Sequence, residues 1–80
     1  MDPALVQIAA RYSHRYDRPH AVVEAEGALL ADLRAAGYTV EIGRFPGKPY
    51  ERRYGVGAFS IVGTVDVPNS AIRLRVEPAA

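Results

Sequence analysis

The chain has 80 residues, 49% of them hydrophobic and 24% charged. That composition builds one small globular domain over residues 1–80 and excludes a disordered chain. A formal net charge of +1 does not demand a nucleic-acid partner. With no cysteine, neither a disulfide framework nor a thiolate zinc site can form. No stretch of 18 apolar residues is present to span a bilayer, and Met1-Asp2-Pro3 lacks the basic start of a secretory signal. The expected location is cytoplasmic, with no membrane contact.

Asp2-Pro3 reads as a helix start, the carboxylate capping the first turn and proline standing where no N–H is needed. Leu5, Ile8, Ala9 and Tyr12 then recur at helical spacing, which predicts an amphipathic helix to about Tyr16. Asp17 is the expected cap of a second helix, with Pro19 inside its first turn. Along that helix Val22, Ala25, Leu29, Leu33 and Ala36 share one face. Gly37 stops it, since glycine adopts the left-handed conformation without a Cβ penalty. Gly27 interrupts the helix at a cost of about 1 kcal/mol relative to alanine.

Tyr38, Val40 and Ile42 alternate as a strand leaving directly from the helix, continuing towards Phe45. Phe45-Pro46-Gly47-Lys48 places proline and glycine as a type II turn requires. Tyr50, Arg52 and Tyr54 alternate with Glu51 and Arg53, as in an exposed ribbon. After Gly55-Val56-Gly57 the apolar parity flips to Phe59, Ile61, Val65 and Val67, the mark of a bulge or strand corner. Val67-Pro68-Asn69-Ser70 is a turn. Ile72, Leu74 and Val76 then oppose Arg73, Arg75 and Glu77, so one face of this last strand is buried and the other solvated. Pro78-Ala79-Ala80 reads as a loose tail. The expected class is α+β, with two N-terminal helices packed on a three-stranded antiparallel meander, an α-α-β-β-β two-layer sandwich.

Nine of the ten basic residues are arginine, against the single Lys48. They concentrate in two segments, 11–20 and 44–54, which hold seven of the ten basic residues and four of the five tyrosines. Arg11, Tyr12, Arg15, Tyr16, Arg44, Lys48, Tyr50, Arg52, Arg53 and Tyr54 are therefore the candidate binding residues. Tyrosine and arginine are the side chains enriched at the centres of protein interfaces. The same types, with cations for phosphates and rings for stacking, serve single-stranded nucleic acid. The ordinary alternative is that the tyrosines close the core edge while the arginines solvate it.

Catalytic patterns are lacking. Ser13, Ser60 and Ser70 carry no nucleophile motif, Glu24 and Glu26 diverge on their helix, and Gly55-Val56-Gly57 does not open a helix as a phosphate loop would. His14, Asp17 and His20 would need the Pro19 corner to fold them around a metal. No cofactor and no enzymatic activity are expected. The leading expectation is a small non-catalytic protein-interaction module (adaptor, regulator or inhibitor) that binds another protein, itself as a homodimer, or both. An exposed sheet edge at Tyr38–Phe45 or Ala71–Glu77 would pair across a two-fold axis or receive a partner strand. The alternative is a nucleic-acid-binding protein using segments 11–20 and 44–54.

Overall fold

A computed structural model describes residues 2–79, and shows an α+β fold. Helices α1 (Pro3–Tyr12) and α2 (Pro19–Ala35) precede strands β1 (Glu41–Phe45), β2 (Lys48–Val56), β3 (Phe59–Asp66) and β4 (Ala71–Pro78). The strands form one antiparallel sheet in the order β1-β2-β3-β4, and both helices lie on the same face of it.

The helix starts and stops follow local chemistry, with three corrections. Asp2 caps α1 as its sequence position requires, its Oδ1 accepting from the N–H of Ala4 at 3.0 Å. The helix ends at Tyr12 rather than Tyr16, because the Ser13 hydroxyl bonds back to the Ala9 carbonyl and residues 14–16 turn to pair with the sheet. Arg18, not Asp17, occupies the N-cap of α2, and its side chain makes no capping bond. Ala36 lies past the last helical residue and is exposed, so it leaves the buried face. Gly37 takes φ 94°, as a helix-terminating glycine does.

The sheet has four strands, not three. The ribbon at Tyr50–Tyr54 is paired on both sides, with β1 through Arg44↔Arg52 and Ile42↔Tyr54, and with β3 through Tyr54↔Ile61. Two features hide it in the sequence. Phe45 pairs with Lys48 while Arg44 pairs with Arg52, so residues 49–51 bulge without β1 partners. The parity flip after Gly55 is a complete reversal: Val56 faces Phe59 across a two-residue turn, with Gly57 at φ 67°. A two-residue turn pairs even with odd positions, so the apolar set must change parity across it. The strand expected from Tyr38 begins at Glu41, and Tyr38 and Val40 pack on the core as an extended lead-in. The tail is pinned rather than loose, with Pro78 in β4 and the Ala79 N–H bonded to the Ala58 carbonyl; Ala80 lies outside the described residues.

Leu5, Ile8, Leu29, Leu33, Tyr54, Val56 and Ile61 form the main core between helices and sheet. Val22, Ala25, Val65 and Ile72 form a second cluster towards the start of α2, and Tyr12 and Leu74 touch both. Among the described residues no helix lies on the other face of the sheet. There Val62 is covered by its own neighbours, Arg53 and Arg75, which stand opposite it on β2 and β4.

Candidate functional site

The two tyrosine–arginine segments do not meet. Residues 13–16 run along the outer edge of β4, where Arg15 pairs with Ala71, while residues 44–54 belong to β1 and β2. Strand β3 lies between them, so the segments occupy opposite sides of the sheet.

Several candidate residues are already engaged inside the protein. Arg11 Nη1 stands 2.8 Å from Asp32 Oδ2, which also accepts from the Tyr12 hydroxyl; together they tie α1 to α2. The Tyr12 bond, followed by that of Arg11, holds the Asp32 carboxyl below the usual carboxylate range. The Tyr16 hydroxyl donates to the Tyr12 carbonyl at 2.8 Å. Lys48 reaches Glu51 at 3.9 Å and Arg53 reaches Glu77 at 3.6 Å, both exposed or half-exposed contacts of small energetic weight.

Arg52 and Tyr54 depart furthest from an exposed ribbon. Tyr54 is fully buried and Arg52 nearly so. Glu26 on α2 receives both of them on one oxygen, from the Tyr54 hydroxyl and from Arg52 Nε at 3.2 Å. Burial first, and then the bond to Glu26, pushes the Tyr54 phenol far above its ordinary pKa. The trio fastens the middle of α2 to β2, and Tyr54 has no ring face left for a ligand. Glu26 therefore works with residues 26 and 28 positions downstream, a partnership no local pattern announces.

Arg44, Tyr50, Ile42 and Phe45 remain on the outside near β1. Ile42, Phe45 and Tyr50 rank among the most exposed large apolar side chains, at 40%, 37% and 38%. Arg44 makes no ion pair among the described residues.

The two sheet edges differ. On β4 the Ile72 N–H donates to the His14 carbonyl, the Ser70 carbonyl accepts from the Tyr16 N–H, and the Leu74 N–H donates to Ser13 Oγ at 3.1 Å. The segment after α1 thus seals most of that edge. Among the described residues no comparable set of bonds covers the outer edge of β1. Counting the ladder from the Val56↔Phe59 pair, Gly55 and Arg53 bond towards β1 while Ile42 and Arg44 turn their N–H and C=O groups outward. Ile72 and Leu74 likewise face outward on β4, where they bond to His14 and Ser13.

His14, Asp17 and His20 are not gathered. The His14 ring packs edge-on against Tyr16, with ring centres 4.3 Å apart, and His20 lies 3.9 Å from Glu24. Among the described residues no three His, Cys, Asp or Glu side chains are grouped to hold a metal ion. Among the described residues no helix is long and apolar enough to cross a membrane. No family model, no curated protein and no solved structure matches this chain.

Proposed function

We propose that this chain is a small non-catalytic protein-interaction module that accepts a partner strand along the outer edge of β1, and that the partner is a second copy of itself. The supporting observation is the contrast between the edges. An unpaired edge is a template for another strand, and proteins that do not use one cover it or charge it. Here β4 is covered by residues 13–16, while β1 is left with outward backbone groups and with Ile42, Phe45 and Tyr50 beside them.

A two-fold axis through Gly43, perpendicular to the sheet, sets each Ile42 opposite an Arg44 on the helix-bearing side. Apolar residue and arginine stem then cover one another while the guanidinium stays in water. The sheet continues across the axis to eight strands with all helices on one face. Sedimentation equilibrium tests this reading. The unsubstituted chain dimerises as its concentration rises, and Ile42→Lys, which sets a charge in the seam, stays monomeric with an unchanged circular dichroism spectrum. A chain that is monomeric at every concentration removes the self-association.

Nucleic-acid binding has less support. Its two segments lie on opposite sides of the sheet, Tyr54 is in the core, and Arg11, Arg52 and Arg53 face carboxylates. Binding of an oligonucleotide at low salt that weakens steeply as salt is added would restore that reading.

A further inference from the structure

The sealed edge of β4 carries a different chemistry. Where residues 13–15 run beside the strand, they and residues 71–75 line an open cleft of about 420 Å3, within the range of small-molecule sites. Arg15 pairs with Ala71, which places it on the same side of the sheet as Arg73 and Arg75, the side free of helices. Three arginines therefore line one cleft, and among the described residues no carboxylate lines it.

This arrangement is unlike that of most other arginines in the chain. Arg11, Arg18, Arg52 and Arg53 each stand within 4 Å of a carboxylate. Arg15 and Arg73 make no ion pair among the described residues. Arg75 reaches Glu77 at 3.6 Å but stays 71% exposed, free to swing towards the cleft. Like charges on adjacent positions of one sheet face repel, and an anion between them reverses the sign of that interaction. Arginine is the side chain whose planar fork grips two oxygens of a phosphate or carboxylate at once. The backbone donors nearby, on Tyr16, Ile72 and Leu74, are already bonded, so recognition falls to the side chains.

We propose that the cleft between residues 13–15 and β4 binds a small ligand bearing two or more oxyanion charges, held by Arg15, Arg73 and Arg75. The test is an amide chemical-shift titration of the full chain at constant ionic strength, with inorganic pyrophosphate in one arm and citrate in the other. Saturating shifts at residues 13–15 and 71–75 are expected. Arg73→Gln should weaken binding about tenfold, the loss of one charge-assisted contact, and Arg15→Gln with Arg73→Gln should weaken it further. Arg34→Gln, at an exposed residue near the end of α2, should leave it unchanged. Saturation by pyrophosphate alone assigns the site to phosphates, by citrate alone to carboxylates, and by both to their shared chemistry. Shifts that never saturate, or an equal loss on Arg34→Gln, overturn the proposal.

Discussion

Gly63 sits in the middle of β3 at φ 153°, and a Cβ built there would lie 1.9 Å from the Arg73 carbonyl oxygen and 3.0 Å from the Leu74 Cα. Both are backbone atoms of the neighbouring strand, so the strands must part to admit a methyl. Gly63→Ala is expected to cost roughly 3 kcal/mol, from overpacking added to an unfavourable backbone angle, measured by urea denaturation. In the sequence this glycine is only a gap in a row of apolar residues, because the carbonyl that demands it arrives from ten positions later. The Glu26 trio has the same character. Glu26→Ala leaves the Tyr54 hydroxyl without its partner and the nearly buried Arg52 without its carboxylate, its Nη1 keeping only the carbonyls of Pro49 and Glu51. It should cost about 3 kcal/mol, the loss expected when one side of a buried pair is removed. Tyr54 also sets an alkaline limit. Its phenol is raised in the folded chain, so the stabilisation is full below the unfolded pKa of about 10 and declines as pH rises beyond it. A spectrophotometric titration should show Tyr54 ionising only as the chain unfolds.

Elements are joined by a few polar contacts whose removal has distinct signatures. Ser13 stops α1 through the Ala9 carbonyl and caps the β4 edge through the Leu74 N–H. Ser13→Ala should cost about 1 kcal/mol for that exchange of bonds and make the chain more prone to associate through β4, visible as extra species in light scattering. Two aspartates anchor the helices: Asp2 holds the start of α1 and the Tyr38 hydroxyl, and Asp32 holds Arg11 and Tyr12. The Tyr38 bond to Asp2 and the Tyr12 bond to Asp32 are the chief causes that lower both carboxyls. Their stabilisation is present above the unfolded pKa of about 4 and is lost as pH falls through the folded values. Thermal melts followed down from about pH 5 should fall in midpoint, and less steeply in Asp32→Asn. Helix existence and the Asp2 cap were readable because the information is local. The count of strands was not, because β2 carries its buried face as Arg52 and Tyr54, whose polar ends are satisfied by a helix more than 20 residues away.

At the scale of the whole molecule, helices cover one face of a four-stranded sheet and leave three things outside: the bare arginine-bearing face, the sealed β4 edge and the open β1 edge. The tyrosines and arginines cluster visibly along the chain, but their clustering does not say which side of the fold each one takes. Tyr54 went inward because its strand has helices above it, and Arg15 went to the bare face because residues 14–16 join the sheet. The edge contrast was equally invisible, since it depends on hydrogen bonds from residues 13–16 to a strand nearly 60 residues later.

Amide hydrogen exchange at low and high protein concentration tests the edge directly, residue by residue. The Ile42 and Arg44 amides should exchange freely in dilute solution and become protected as concentration rises, while the outward-facing Val76 amide on β4 keeps the same rate throughout. Exchange at Ile42 and Arg44 that is independent of concentration, or protection that develops at Val76 instead, would contradict a β1-to-β1 assembly.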